Sequence, residues 1–557
     1  MTTKRNLRPK SPRLGDGVSL EPPTGPAGLW MVSLNGVPRA RLANAVAQAA
    51  HRFDGLHSVT EIATALGGQW TVQDVEQVVE RFSAAGLLDR GDRRRRSSPV
   101  HFKPPLTFQF SFGNPSRLLR RIRPVTKVFT SIPGLALATT AIIIGVLCAI
   151  LNTRLILNAV STPVDIAVAV PLVLAIVLTT VVHEFGHGIA LSNFGGSPRR
   201  IGAMLFYLSP AFFCDVTDGW RLTRRTQRVF VALAGPLVHA VLASLSMIAV
   251  GFFPASPLRD GLVLYSIACG VIASLNLLPF VQLDGYLALM SALDRPHLRR
   301  TAMAAAFEWV VSIAFGVDRD TRAVPRQRWL VAFGLSCAAF PVVLVTLALA
   351  RYAGSIAGAG KFSAAIYLVL LTYVLIMVYR SIHKAARQVL SAHPRLLPSI
   401  ATGITVSLLV AFAAIATPIH QDRVGGFIAA DGKVWLVFTR GEDAASALPG
   451  TAVDLQTGGL LVKAPLGHVT VSSAAVTVAN VDLDAFLPLT GSALTLPATI
   501  VPAEDARGLD DAAVTAAEFP SHGQSVIRSR AAMTALSWLM QTYLGGPLRT
   551  LFGESLH

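Results

Sequence analysis

Apolar residues occur along this chain in blocks long enough to form membrane-spanning helices, and polar or basic loops separate the blocks. A helix of about 20 predominantly apolar residues crosses the hydrocarbon layer of a bilayer. Seven stretches of roughly this length fall between residues 133 and 418. We expect spans near 133–152, 163–187, 229–251, 261–284, 328–350, 362–379 and 398–418.

One further apolar stretch, "IGAMLFYLSPAFFC", lies between the second and third spans. It is too short to cross a bilayer as a helix, and Pro210 interrupts it. Irregular backbone is tolerated at membrane depth only where protein or water covers it. We therefore expect this stretch to be re-entrant or interfacial.

The region before the membrane part has the pattern of a small folded unit. The stretch "GLWMVSLNGVPRA" predicts a β-hairpin, because Asn35-Gly36 is a strong two-residue turn signal. Ser58 and Glu61 form a capping box at the start of the second of three amphipathic helices, and Gly86 ends the third. The helices are predicted over 41–53, 59–66 and 72–85.

These patterns predict a mainly α fold: a polytopic membrane protein of about seven transmembrane helices, with a small amino-terminal winged-helix-like domain and a carboxyl-terminal β-rich extracytoplasmic domain. Strand-like runs after residue 419 and an amphipathic stretch near the end support the last part. The predicted parts are a disordered terminus (1–25), the small domain (26–92), a basic linker leading into the membrane (93–132), the transmembrane domain (133–418) and the β-rich domain with its terminal helix (419–557).

Composition agrees with a membrane protein and limits its partners. The 557 residues are 52% hydrophobic and only 15% charged, and the mean hydropathy is +0.53. The net charge of +17 comes from arginines and lysines beside apolar runs, in alternate loops, so we do not expect nucleic acid as a partner. By the positive-inside bias, the amino terminus is expected in the cytoplasm and the carboxyl terminus outside.

The stretch "TTVVHEFGHGIALSNFGG" places ionisable groups at the end of the second span. His183 and His187 are one helical turn apart, so both imidazoles project from one face and can bind one zinc ion. Glu184 stands beside them as a general base. A carboxylate at membrane depth costs about 2.5 to 3.5 kcal/mol unless it is used or paired. We therefore favour a zinc site over a pair of structural histidines.

A third ligand is available in "SLNLLPFVQLDGYLALM". Asp284 falls at the cytoplasmic end of its span, at the depth expected for the two histidines, and a two-His, one-Asp set leaves a fourth zinc position for water. Pro279 must disturb the helix there. Asn276 has two readings of equal weight: contact with the substrate backbone or oxyanion, or an interhelical hydrogen bond.

The two motifs together resemble the site-2 protease family of intramembrane zinc metalloproteases. That family has H-E-x-x-H in one span and an N-x-x-P segment ending in L-D-G in another, and "ALAGPLVHA" is similar to its third conserved segment. The resemblance implies that His183, His187 and Asp284 are the zinc ligands, Glu184 the catalytic base and Asn276 a substrate contact. His239 stands where the family often has asparagine.

The amino-terminal domain, with "FDGLHSVTEIATALGG" and "VEQVVERFSAAGLLD", resembles the PqqD-like recognition domain of enzymes that process ribosomally made peptide natural products. Such domains bind a leader peptide as an added strand. A plain winged-helix or structural module is the alternative. The resemblance implies leader contacts on the hairpin and on the third helix, at Trp30, Val32, Leu34, Val75, Val78 and Phe82.

We therefore expect a multi-pass zinc endopeptidase of the bacterial cell membrane that removes the leader from a modified precursor peptide, as in the peptide zinc metalloproteases of such gene clusters, daptide-type clusters among them. Its expected partners are the precursor, the lipid bilayer and other biosynthetic or export proteins of the cluster. The alternatives are proteolysis of a membrane anti-sigma factor, a non-catalytic export or immunity component, and a peptide-binding scaffold. Asp215 and Asp218 either line the substrate path or are solvated loop residues, and we favour the second interpretation slightly.

Overall fold

The architecture is described from a computed structural model of the chain. It describes residues 11–552 apart from short internal gaps. The gaps are 23–28, 35–36, 69, 90–99, 104–106, 207–208, 316–326, 359–360, 392–395, 417, 421, 431–432, 439–446, 461, 474, 508–520 and 529–531.

The amino-terminal layer is a three-stranded antiparallel sheet packed against three helices. Its elements are β1 (Val18–Glu21), β2 (Trp30–Leu34), β3 (Val37–Leu42), α1 (Asn44–His51), α2 (Val59–Leu66) and α3 (Val72–Ala84). The predicted hairpin and helices are confirmed, and so is the Ser58/Glu61 capping box; the Asn35-Gly36 turn lies outside the described residues.

Disorder was expected for residues 1–25, and this expectation is wrong for residues 11–22. Arg13 and Leu14 form β-bridges to Asp54 and Leu88, and β1 pairs with β2. The apolar side chain of Leu14 packs against the core of the layer, which explains why the segment is held in place. Residues 1–10 lie outside the described part of the chain.

The chain then enters the apolar part, in which strands and helices alternate. The elements are β4 (Val100–Lys103), β5 (Thr107–Gly113), α4 (Ser116–Thr126), α5 (Ile132–Leu151), α6 (Thr153–Ser161), β6 (Val164–Asp165), α7 (Ile166–Asn193), β7 (Ile201–Phe206) and β8 (Ser209–Cys214). The short apolar stretch predicted as re-entrant or interfacial is the β7–β8 hairpin, which β5 and β4 extend to an antiparallel sheet in the order β4-β5-β7-β8.

After a 3-10 turn (Thr217–Arg221), helices dominate to residue 416. They are α8 (Arg225–Val250), α9 (Pro257–Asn276), α10 (Asp284–Ala292), α11 (Leu298–Phe315), α12 (Arg328–Gly358), α13 (Lys361–Ser391) and α14 (Leu396–Ala416). Helix α8 is the centre of this region, since it packs against α5, α7, α9 and α10.

Within the described residues, five helices are long and apolar enough to cross a membrane, which is compatible with a membrane-embedded protein. They are Ile132–Leu151, Ile166–Asn193, Arg225–Val250, Pro257–Asn276 and Lys361–Lys384. Two further predicted spans fall on α12 and α14, whose apolar parts, Arg328–Val343 and Ile400–Leu409, are shorter than the five helices above. The count of seven is therefore not confirmed.

The carboxyl-terminal region is β-rich, as expected. It contains β9 (Pro418–His420), β10 (Arg423–Ala430), β11 (Lys433–Phe438), β12 (Ala452–Thr457), β13 (Pro465–Val471), β14 (Thr477–Asp482), β15 (Leu489–Thr490), β16 (Thr495–Arg507), β17 (His522–Ile527), β18 (Ala532–Thr534), α15 (Ala535–Met540), a π-helical turn (Gln541–Gly545) and α16 (Gly546–Phe552). Its main sheet has the order β11-β10-β17-β12-β13-β16-β14, and β11 also pairs with β16, so six strands close on themselves. The terminal helix α16 packs against α12 and α13.

Candidate metal centre and active site

Two histidines from α7 and one aspartate from the start of α10 meet in the interior. His183 and His187 are each 5% exposed, and their Nε2 atoms lie 3.2 Å apart. Asp284 Oδ2 lies 3.1 Å from His183 Nε2, and Asp284 Oδ1 lies 3.3 Å from His187 Nε2. Among the described residues, these three form the cluster whose ligand atoms could hold a metal ion.

The spacing of these atoms fits a zinc ion. Zinc bonds of about 2.0 to 2.2 Å in tetrahedral geometry place neighbouring ligand atoms roughly 3.3 Å apart. Gly235 of α8 faces the same point: a methyl group on its Cα would lie 2.5 Å from His183 Nε2 and would overlap His187 Nε2. The absent side chain therefore keeps open the space between the imidazoles and α8, and the donor set suits zinc.

The hydrogen bond made by His187 also suits a metal ligand. Its Nδ1 lies 2.7 Å from the carbonyl oxygen of Val231 in α8. A proton on Nδ1 donates to that oxygen, which leaves the Nε2 lone pair for the metal and fixes the orientation of the ring. His183 Nδ1 is buried and has no hydrogen-bond partner among the described residues.

Glu184, the predicted base, lines the cavity next to the histidines. Its Oε2 accepts a hydrogen bond of 2.7 Å from the backbone N–H of Cys214, the last residue of β8. The other oxygen, Oε1, is then the atom that can take up a proton. The cavity measures about 150 Å³, and Glu184, His187, Cys214, Trp220 and Asp284 are among its lining residues.

The loop that delivers Asp284 begins where α9 ends at Asn276, three residues before Pro279. A side chain on Gly285 would overlap the carbonyl oxygen of Leu277, so glycine lets α10 start close against the end of α9. Asn276 itself is directed elsewhere: its Nδ2 donates to the Ile272 carbonyl oxygen of its own helix at 3.0 Å. It is not among the residues that line the cavity.

The side chains predicted to contact a leader peptide lie in or against the core of the amino-terminal layer. Val32, Val75, Val78 and Phe82 are at most 8% exposed, and Trp30 and Leu34 pack against them. Strand β2, which carries three of the six residues, pairs on one side with β1 and on the other with β3. An added strand must therefore pair with β1 or β3. The six side chains pack in or against the core of the layer, and Val78 also lines a cavity between α1 and α3.

Asp215 and Asp218, expected to be solvated, anchor the loop after β8. Asp218 is 4% exposed; it accepts a hydrogen bond from the Ser197 backbone N–H and pairs with Arg221 at 3.2 Å. Burial alone would raise the pKa of Asp215, but the hydrogen bonds from Thr217 together with Arg200 outweigh it and hold this pKa below its usual range. These acids therefore hold the cavity wall in place.

Sequence reasoning missed two residues of that wall, Trp220 and Arg228. Arg228 is 5% exposed; its Nη1 donates to the Leu222 carbonyl oxygen, and its guanidinium lies 5.9 Å from the centre of the Trp220 ring. From the sequence, the arginines before α8 were used only to predict orientation in the membrane. Arg228 differs from the others because it lies one turn inside an apolar helix, and this position could have marked it as a buried residue.

His239, at the position where the resembled family often has asparagine, is fully buried in α8 one turn beyond Gly235. Its ring centre lies 5.2 Å from that of His183. Neither ring nitrogen has a hydrogen-bond partner among the described residues. It is thus a neighbour of the cluster but does not belong to the set whose ligand atoms converge.

Comparison with known proteins gives one distant relative. "Putative peptide zinc metalloprotease protein YydH" of Bacillus subtilis (strain 168) is 29% identical over 131 residues, which are 23% of this chain and 50% of that protein. The chain therefore matches about half the length of this relative. No family model matches the chain, and no solved structure matches it. The similarity supports a metalloprotease, and the His-His-Asp cluster offers a possible zinc site.

Proposed function

We propose that the protein is a membrane zinc endopeptidase of the site-2 protease type, which removes the leader from a ribosomally made, modified precursor peptide near the cytoplasmic face. The observation that carries the proposal is the convergence of His183, His187 and Asp284 beside Glu184 in a cavity bounded by apolar helices. The sequence similarity to a peptide zinc metalloprotease supports the same chemistry.

Each residue then has a defined task in peptide hydrolysis. His183, His187 and Asp284 would hold the ion, which when bound polarises the scissile carbonyl and lowers the pKa of water. Glu184 takes the proton of the attacking water on Oε1 and passes it to the leaving amine. The hydrogen bond from the Cys214 N–H holds Oε2 of Glu184, so the carboxylate faces the cavity during the reaction.

The walls of the cavity favour an apolar residue next to the scissile bond. Besides the polar groups, the lining includes Val216, Val231, Leu287 and Met290. Apolar side chains gain about 25 cal/mol for each Å² that they bury on such a wall. We therefore expect cleavage beside a small or medium apolar residue of the precursor.

The amino-terminal layer would hold the leader. Strand β3 pairs only with β2 among the described residues, so its outer edge can accept an added strand. A cavity of about 330 Å³ lies between the start of α1 and α3, lined by Ala45, Trp70, Asp74, Gln77, Val78 and Arg81. Arg41 of β3 donates to the Trp220 carbonyl oxygen at 2.8 Å, so this edge runs close to the wall of the catalytic cavity.

The test is cleavage of candidate substrates by the purified protein in detergent. A precursor peptide encoded beside this gene should be cut once, at the junction of leader and core, and the fragments identified by mass spectrometry. A chelator should stop the reaction and added zinc should restore it. Cleavage of a transmembrane anti-sigma factor, with the precursor left intact, would replace this proposal with regulated intramembrane proteolysis.

A further inference from the structure

Asp294, two residues after the end of α10, forms ion pairs with arginines from separate parts of the chain. Its Oδ1 lies 2.6 Å from Nη2 of Arg228 in α8 and 3.3 Å from Nη1 of Arg41 in β3. Its Oδ2 lies 3.7 Å from Nη2 of Arg225. Arg228 is almost fully buried, whereas Asp294 and Arg41 are roughly a quarter exposed. One carboxylate thus joins the amino-terminal layer to the helical core.

The backbone at Asp294 indicates that its side chain is needed there. Its φ is +51°, in the left-handed region, where helices usually end with glycine. A negative charge at the carboxyl end of a helix also opposes the helix dipole. Both effects are unfavourable at Asp294, and the three arginines compensate for them. The carboxylate is therefore explained by the junction and not by the local requirements of the turn.

Helix α10 connects this junction to the metal centre. It begins at Asp284, a predicted zinc ligand, and Asp294 follows two residues after its last residue, Ala292. At about 1.5 Å per residue, Asp284 and Asp294 are roughly 15 Å apart along the axis of α10. Tyr286 and Met290 pack α10 into a buried cluster, so we expect the helix to shift as a rigid unit. A displacement of Asp294 would therefore move the end of α10 that carries Asp284.

Arg41 also acts on the second wall of the active site. Its Nη2 donates to the Trp220 carbonyl oxygen at 2.8 Å, and its guanidinium lies 5.6 Å from the Trp220 ring centre. Trp220 lines the same cavity as Glu184 and Asp284. One side chain of the amino-terminal layer thus contacts the end of α10 and the cavity wall together.

We propose that Arg41 and Asp294 are positioning residues of the zinc site, so that docking of the amino-terminal layer sets the place of Asp284 and completes the catalytic centre. The inference rests on the proposed zinc chemistry and extends it. The layer that would bind the leader is then also a structural part of the active site, and a substrate without any leader still depends on Arg41.

The experiment measures zinc affinity and hydrolysis in Arg41→Gln and in Asp294→Asn, using the full-length protein in detergent. Zinc dissociation constants come from competition with a chromophoric chelator, and kcat and KM from a short fluorogenic peptide that spans the cleavage site and lacks the leader. Neither residue contacts a predicted ligand, so we expect an effect at the lower end of that known for direct partners of metal ligands: zinc binding about 10-fold weaker and kcat about 10-fold lower, with little change in KM. The two substitutions share the Arg41–Asp294 pair, but Asp294→Asn also removes the charge beside Arg228 and Arg41→Gln also removes the bond to Trp220. The double variant should therefore lose less than the product of the two single losses.

The matched control is Glu80→Gln. Glu80 is an exposed residue of α3 in the same layer. This variant should keep zinc affinity and kcat. If wild type binds zinc and cuts the peptide, but Arg41→Gln and Asp294→Asn match it in both measurements, the positioning role is refuted while the proposed function stands. If wild type binds no zinc, the proposed function itself fails.

Discussion

His183 Nε2 and Asp284 Oδ2 lie 3.1 Å apart, although the long helices α8 and α9 separate the two residues in the chain. The sequence predicted that the two residues lie close together from their depth in the membrane alone, because each motif lies at the end of a predicted span and both ends are at the same membrane face. The structure adds the two glycines that permit it. Gly235 leaves room at the imidazoles, and Gly285 lets α10 begin against α9.

Filling the space at Gly235 should weaken metal binding. In Gly235→Ala the new methyl group would overlap His187 Nε2, so the imidazoles must move apart and zinc should bind at least 10-fold more weakly. Gly270→Ala in α9 is the control, because a methyl group there meets no atom within 4 Å. Zinc analysis of both purified variants decides. A Gly235→Ala protein with a full equivalent of tightly held zinc would show that the ion lies elsewhere.

A bound leader should protect β3 and leave β1 unchanged. Hydrogen exchange of the full protein, with and without the leader of the neighbouring precursor, should show slowing within Val37–Leu42, where new main-chain hydrogen bonds form. β1 (Val18–Glu21), the other outer strand of the sheet, is the internal control. Protection confined to β1 would move the peptide to the opposite edge, and protection in neither strand would remove leader binding from this layer.

The amino-terminal layer should lose stability in acid. The backbone N–H of Ser58 lowers the pKa of Glu61, and the Thr71 hydroxyl lowers the pKa of Asp74. Because both values lie below those of the unfolded chain, about 4, the stabilisation is complete above that pH and is lost as pH falls through the folded values. The melting temperature of a fragment covering residues 11–89 should drop between pH 5 and 2.5, and less so in Glu61→Gln. An unchanged melting temperature would contradict this reading of the caps.

Much of this architecture follows from local sequence patterns. The parts that were not predicted depend on contacts between residues far apart in the sequence. Period-3.6 patterns predicted α2 and α3, one capping box predicted the start of α2, and the H-E-x-x-H spacing predicted the histidine pair. The sheet β4-β5-β7-β8 was missed because strands around residues 100–113 pair with strands nearly a hundred positions away, which no local pattern records. The pairing of β2 on both sides was missed for a related reason: β1, which covers one side of β2, lies in a segment whose Pro- and Arg-rich composition indicated disorder.

Orientation in the membrane can be tested with reporters. The arginine-rich loops predict a cytoplasmic amino terminus, so an alkaline phosphatase fusion after Pro418 should be active and one within 296–326 inactive. A green fluorescent protein fusion series at the same sites should give the opposite pattern. If phosphatase is active in the 296–326 fusion, the zinc site faces away from a cytoplasmic precursor, and leader removal in the cytoplasm is untenable.

The most direct test of a zinc peptidase is the separation of zinc binding from catalysis in Glu184→Gln. The amide cannot accept the proton of the attacking water, but the three predicted ligands remain, and its oxygen can still accept from Cys214. We predict one zinc per chain in wild type and in Glu184→Gln, with cleavage of the precursor reduced at least 1000-fold in the variant. Cleavage at the wild-type rate by a zinc-loaded Glu184→Gln protein would contradict the account.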